Sequence, residues 1–116
     1  MTMGAEYFES HHPAVNQETG QAITSDKAFE ACVAQAAYDH GHSGYTGTIA
    51  EKYDFVYIGT VDSLEEFRVK AAVYEFHIPE NGSWPEYVDD KWGLANLVRI
   101  EDPDDPHWVF FGWASA

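Results

Sequence analysis

The sequence predicts an α+β protein: a single antiparallel β-sheet with two helices on one face, in the order β-α-β-β-α-β-β. Three observations support this prediction. Two segments repeat apolar residues at the three- and four-residue spacing of a helix, and several short segments are rich in β-branched and aromatic residues. A five-residue link near the end is short enough to require an antiparallel pair. The length of 116 residues suits one domain, spanning residues 1–116.

A short strand and a helix are the first predicted elements. Residues 4–9 alternate in character and suit a short strand, and the proline and glycine in residues 10–21 make that segment a connection. From Ser25 to His40, apolar residues recur at helical spacing on one stripe, which includes Cys32. Gly41 follows as a residue suited to the end of the helix.

Four more strands are predicted as two hairpins. Residues 46–51 should pair with residues 54–59 across a tight polar turn, because both arms hold β-branched or aromatic residues. Residues 94–101 and 107–114 should form the second hairpin. The link between them, "DPDDP", contains two prolines and can only be a loop.

The second helix is predicted from its start signal. Asp62 with Glu65, and Ser63 with Glu66, are two overlapping capping boxes at the start of "VDSLEEFRVKAAVYEF". An apolar stripe follows, and Pro79 stops the helix wherever its last turn falls.

The net charge restricts the partners of the chain. Twenty acidic and six basic residues give −14 at pH 7, so direct binding to nucleic acid or to an anionic membrane is disfavoured. Such a surface attracts a basic protein. Solubility, or life in a high-salt habitat, is the competing explanation.

Cysteine content and hydropathy indicate the compartment. The single cysteine cannot form an intramolecular disulfide. The chain lacks an apolar run of the roughly 20 residues that cross a bilayer, and its first residues lack the pattern of a secretory signal. We therefore expect a cytoplasmic protein.

The stretch "HGHSGYTGTIAEK", residues 40–52, raises the question of a ligand. Its glycines follow a helix rather than begin one, and no Gly-Lys-Ser/Thr is present, so a phosphate loop is not predicted. The His-x-His pair lacks a zinc spacing, so we expect neither metal nor cofactor. The stretch is interpreted as a turn into the sheet. A ligand loop remains the alternative, with these residues: His40, His42, Tyr45 and Thr48.

Acidic and aromatic residues are interleaved between residues 80 and 105, where tryptophan and tyrosine could anchor an interface ringed by carboxylates. The predicted partner-binding residues are Glu86, Asp89, Asp90, Trp92, Asp102, Asp104 and Asp105.

Four stretches resemble a group of small uncharacterised bacterial and phage proteins: "MGAEYF" (3–8), "GHSGYTGTIAEK" (41–52), "DKWG" (90–93) and "FFGWAS" (110–115). The resemblance covers about a quarter of the chain and implies a small, compact protein of the kind often found on mobile genetic elements. It carries no established activity, so no catalytic residue is transferred. The segment around "VYEFHIPENGSWPEY" departs from the group.

Three functions follow from these patterns. The first is a non-enzymatic, phage-encoded inhibitor of a host nucleic-acid-binding defence complex, similar to an anti-CRISPR, whose acidic aromatic surface mimics nucleic acid. The alternative is a small ligand- or metal-binding domain, or an enzyme, that uses loop 40–48. The third is a homodimer in which "WVFFGWASA" pairs edge to edge with a second copy.

Overall fold

The computed structural model describes residues 5–40, 48–76, 84, 87–88 and 93–115. Within these residues the chain forms four strands and two helices in a mixed sheet, which confirms the α+β class. The elements are β1 (Ala5–Pro13), α1 (Ser25–His40), β2 (Asp54–Val61), α2 (Leu64–Glu75), β3 (Leu94–Ile100) and β4 (His107–Ser115), with a 3₁₀ turn at Ile49–Glu51.

The sheet has the order β1-β4-β3-β2 and is not wholly antiparallel, which corrects the predicted arrangement. β4 pairs antiparallel with both β1 and β3, whereas β2 and β3 are parallel. The parallel pair arises because the chain crosses from β2 to β3 through α2 rather than through a hairpin. β4 has a neighbour on each side, so the prediction that it pairs edge to edge with a second copy is wrong.

The predicted strand over residues 46–51 is also wrong in its described part. Thr48 caps a 3₁₀ turn instead: its hydroxyl accepts a hydrogen bond from the Ala50 N–H at 3.2 Å. Ile49, the first residue of the turn, is fully buried against the sheet. A threonine hydroxyl that bonds to a nearby backbone N–H competes with strand pairing. The first predicted hairpin therefore does not form, and β2 is an edge strand of the sheet.

The helices lie on opposite faces of the sheet, not on one face as predicted. Phe110 packs in the cluster that holds α1, and Phe111 packs against Phe67 of α2 with ring centroids 5.0 Å apart. Neighbouring residues on a strand point to opposite faces. The burial of the two inner strands agrees with this arrangement. Residues 95–98 and 109–111 are buried without a break, as expected for strands covered on both sides.

The helix starts and most strand bounds agree with the sequence. α1 spans the predicted Ser25–His40, and Cys32 is buried on its sheet-facing side. α2 begins after Ser63, whose hydroxyl accepts from the Glu66 N–H at 3.1 Å, while the Glu66 carboxylate accepts from the Asp62 N–H at 3.0 Å. β1 differs most, since it continues to Pro13.

Candidate functional site

The strand directions bring many acidic residues to one end of the sheet. β1, β2 and β3 run the same way and β4 runs opposite, so the ends of the first three and the start of β4 lie together. The Glu101 N–H donates to the Val61 carbonyl at 2.8 Å, which fixes the start of the β3–β4 loop beside the end of β2. We name this surface the acidic end; its residues are Asp62, Glu65, Glu101, Asp102, Asp104 and Asp105.

The two segments that supply the acidic end are neighbours in space. Leu64, in the first turn of α2, and Asp105, in the β3–β4 loop, line one cavity of about 280 Å³. His107 lines the same cavity and is itself buried. Arg99 offsets one of the acids, because its Nε lies 3.4 Å from the Glu101 carboxylate. The acidic end therefore retains a strong negative charge.

Local hydrogen bonds hold the β3–β4 loop in shape. The Asp102 carboxylate accepts from the Asp104 N–H at 2.9 Å, and its carbonyl accepts from the Asp105 N–H at 3.1 Å. The Asp105 carbonyl lies 2.8 Å from Nδ1 of His107. Because a carbonyl only accepts, that ring nitrogen carries a proton. The Asp102 carboxylate is therefore engaged within the loop, whereas the side chains of Asp104 and Asp105 are exposed.

Part of the predicted partner surface is brought together here and part is not described. Asp102, Asp104 and Asp105 share one loop. The other predicted partner-binding residues, Glu86, Asp89, Asp90 and Trp92, lie outside the described residues. Trp84 does not serve as a surface aromatic, because it is buried over Phe67 between α2 and the sheet.

The predicted ligand loop falls largely outside the described residues. His42 and Tyr45 are not described, and only the backbone of His40 is, as the last residue of α1. Thr48 is described, and it lines a groove between β1 and α1 with Asp39. The ligand loop therefore remains a prediction.

A polar cluster on the α2 face of β1 is the feature that sequence reasoning missed. The Glu9 carboxylate accepts from Arg68 Nη1 at 3.0 Å and 3.2 Å and from the Tyr7 hydroxyl at 3.3 Å. His11 Nε2 lies 3.1 Å from the same carboxylate, and its ring centroid is 5.3 Å from that of His107. The two-residue spacing of Tyr7, Glu9 and His11 was the available signal, since it places all three on one face.

The cluster keeps Glu9 charged and Tyr7 neutral. Burial alone would raise the pKa of the Glu9 carboxyl, but the hydrogen bond with His11 and the charge of Arg68 lower it below its usual value. Burial, with the negative charges of Glu9 and Glu75, raises the pKa of the Tyr7 phenol well above its usual value. The carboxylate thus acts as an acceptor at neutral pH, not as an acid.

Cys32 and Ser10 are side chains of nucleophilic type that line the same groove as Glu9. Both side chains lie on the α1 side of the sheet, whereas the Glu9 carboxylate bonds to Arg68 on the α2 side. Burial also raises the pKa of the Cys32 thiol to about 11, so the thiolate is scarce at neutral pH. Among residues 5–40, 48–76, 84, 87–88 and 93–115, the histidine, cysteine and acidic side chains form no cluster suited to a metal ion.

Comparisons with protein-family models, curated proteins and solved structures find no match to this chain. Neither helix in the described ranges is long and apolar enough to cross a membrane.

Proposed function

We propose that this chain is a non-enzymatic interaction protein that binds a basic, nucleic-acid-binding protein through its acidic end. One observation carries the proposal: the strand directions gather acids that are far apart in sequence, from Asp62 to Asp105, at a single end of the sheet. Because the loop and the α2 start are fixed by hydrogen bonds, the backbone that carries these carboxylates is held in place before a partner arrives.

Electrostatic attraction is the main source of recognition in this proposal. Clustered charge on one surface steers an oppositely charged partner and restricts its orientation. A groove that normally holds phosphates presents lysine and arginine, and carboxylates on a rigid surface can take the place of those phosphates. Binding through these carboxylates should weaken on the order of tenfold or more between about 50 and 200 mM salt.

The biological setting we propose is the host cytoplasm, with the protein encoded by a phage and directed against a nucleic-acid-binding defence complex. The support is the resemblance of residues 41–52 to small bacterial and phage proteins, together with the charge of −14. In this setting the protein occupies the groove of the complex and prevents it from binding DNA or RNA.

Capture of partners with matched charge variants tests the proposal. Wild type is immobilised and exposed to a bacterial lysate, and bound proteins are eluted by rising salt or by duplex DNA. The acidic-end variant carries Asp62→Lys, Asp104→Lys and Asp105→Lys. The control reverses the same number of exposed acids elsewhere: Glu6→Lys, Glu30→Lys and Asp54→Lys.

The expected result is a nucleic-acid-binding protein that wild type and the control retain and the acidic-end variant loses. DNA should release it, and the purified partner should lose DNA binding when this protein is added. Equal capture by both variants, or a partner unaffected by DNA, would show that the acidic end is not the binding surface.

The alternative function, a ligand or metal site in loop 40–48, has its own test. Elemental analysis of the purified protein should find a stoichiometric metal if the loop is a metal site. The variant His42→Ala should then lose that metal without a loss of stability.

A further inference from the structure

We propose that the outer edge of β1 is a second binding surface, which accepts an extended segment of a partner protein bearing alternating basic and apolar residues. β1 is the last strand on its side of the sheet, and no strand of the described residues pairs with its outer edge. The inference does not depend on the acidic end, which lies beyond the tip of the strand rather than along it.

The hydrogen-bond register shows which backbone groups face outward. The Ala14 N–H donates to the Pro106 carbonyl at 2.9 Å, and this pair continues the β1–β4 register beyond Pro13 and His107. In an antiparallel ladder, bonded and non-bonded pairs alternate. The even-numbered residues of β1 therefore bond to β4, and the N–H and C=O groups of Tyr7, Glu9 and His11 point away from the sheet.

A contact from α1 agrees with this assignment. The Cys32 thiol of α1 lies 4.0 Å from the His11 carbonyl, as expected for a carbonyl that does not bond to β4. The outward groups recur at every second residue over about 13 Å, given a rise of roughly 3.3 Å per residue. Only an extended backbone can match donors and acceptors at that spacing, so the occupant is a strand and not a helix.

A groove of about 640 Å³ runs beside this edge, between β1 and α1. Among the described residues its lining includes apolar groups, Phe8, Cys32 and Ala36, and polar groups, Gln35 and Asp39. A partner strand points alternate side chains into this groove and the others toward the α2 face. Small apolar side chains fit the first set of positions.

The charges near the edge predict basic side chains at the partner positions that face α2, and they exclude a second copy of this chain as the partner. On the α2 face, Glu75 adds a negative charge beyond the Glu9–Arg68 pair and is close enough to act on the Tyr7 phenol. On the α1 side, Glu6 is exposed on the same strand and Asp39 lines the groove, so acidic residues lie on both sides of the edge. These acids favour lysine or arginine, whereas a second chain of net charge −14 would be repelled.

Nuclear magnetic resonance with a defined peptide tests the proposal on the native chain. The probe is acetyl-(Lys-Val)₃-Lys-amide, with an N-methylated version that cannot donate backbone hydrogen bonds and a Glu-Val version of opposite charge. The amides of Tyr7, Glu9 and His11 should shift and exchange more slowly with the Lys-Val peptide alone. If the N-methylated peptide gives the same shifts, or if the Lys-Val peptide gives none, the edge is not a strand-binding site.

A pair of variants at one position gives an independent measurement. His11→Pro removes one outward N–H, while His11→Thr keeps it and loses the same imidazole. Proline at this position should weaken peptide binding about tenfold, and threonine by less than about twofold. Equal affinities would overturn the proposal. If the proline variant fails to fold, the comparison of the three peptides on wild type decides.

Two further outcomes would show that something other than a partner protein occupies the edge of β1. Sedimentation that shows a wild-type dimer would assign the edge to a second copy. Slow exchange of the three amides before any peptide is added would assign it to another part of the same chain. The variant Asp62→Lys/Asp104→Lys/Asp105→Lys should bind the peptide at this edge like wild type, so this test and that of the acidic end can fail separately.

Discussion

Arg68 on α2 donates from one nitrogen to both oxygens of Glu9 on β1, at 3.0 Å and 3.2 Å, between residues 59 positions apart in sequence. The contact ties the second helix to an edge strand, next to the proposed strand-binding surface. The two side chains differ in environment: Arg68 is 56% exposed and Glu9 only 13%. The pair is therefore asymmetric, and its loss affects the carboxylate more than the guanidinium.

Arg68→Met should destabilise the protein by about 1 kcal/mol at pH 7. The exposure of Arg68 limits the value of the pair, but its removal leaves a largely buried carboxylate with fewer partners. Urea unfolding measures the change. Lys27→Met, which removes the same charge from an exposed position, should stay within about 0.5 kcal/mol of wild type. Equal effects of the two variants would mean that the Glu9–Arg68 contact contributes nothing.

Glu9→Gln should flatten the loss of stability in acid. The pKa of Glu9 in the folded protein is below its ordinary value of 4.5. The ionised carboxylate therefore stabilises the fold above that value, and this contribution disappears as the pH falls through the folded-state pKa. Urea midpoints at about pH 7, 5, 4 and 3 should converge between wild type and the variant at the acid end.

Glu6→Gln is the control for that series, because Glu6 is exposed on the same strand and forms no ion pair with a described residue. It should follow the pH profile of wild type. A Glu9→Gln profile parallel to wild type at every pH would show that the carboxylate is not specifically stabilised.

Gly59→Ala should cost about 1–3 kcal/mol through overpacking. A Cβ at this position would lie 2.7 Å from Nε1 and 2.8 Å from Cδ1 of Trp84, whose ring is buried between α2 and the sheet. Unfolding in urea gives the cost, and near-ultraviolet circular dichroism should change because the ring must move. Gly20→Ala separates the two causes of glycine preference: it has φ +73° and open space, so it should leave the aromatic signal unchanged.

Asn96→Leu should destabilise the protein by about 2–4 kcal/mol. Asn96 is fully buried; its amide oxygen accepts from the Val88 N–H at 2.7 Å, and its amide nitrogen donates to the Val88 carbonyl at 2.9 Å. Leucine keeps the branched shape of the side chain, with larger methyl groups, and leaves both backbone groups of Val88 without this partner. Gln35→Leu, on the exposed face of α1, is the matched control. A loss no larger than in this control would mean that Val88 finds other partners.

The sequence predicted local features well and long-range ones poorly. α1 and the start of α2 follow from apolar spacing and capping, which are properties of neighbouring residues. The parallel pairing of β2 and β3 depends on where the chain goes after α2, and no local pattern records that path. The apolar run at 108–111 is the sequence signal for a strand covered on both faces, whereas Asn96 interrupts any such run in β3.

The candidate sites also differ in how far local sequence predicts them. The acidic loop at residues 101–105 could be recognised from composition, but its proximity to Asp62 depends on strand direction. The two-residue spacing in the sequence places Tyr7, Glu9 and His11 on one face, but Arg68 and His107 join this cluster only through tertiary packing.

The position of β4 at the centre of the sheet determines when this chain can fold during its synthesis. Pro13 pairs with His107 and Ala5 with Ser115, so the first strand to leave the ribosome waits for the last. At translation rates of about 5–20 residues per second, the apolar face of α1 waits roughly 3–15 s for the strand on which it packs. Over that interval, the negative charge of the nascent chain and chaperones protect it from aggregation. A chain truncated before residue 107 lacks β4, the strand that joins β1 to β3.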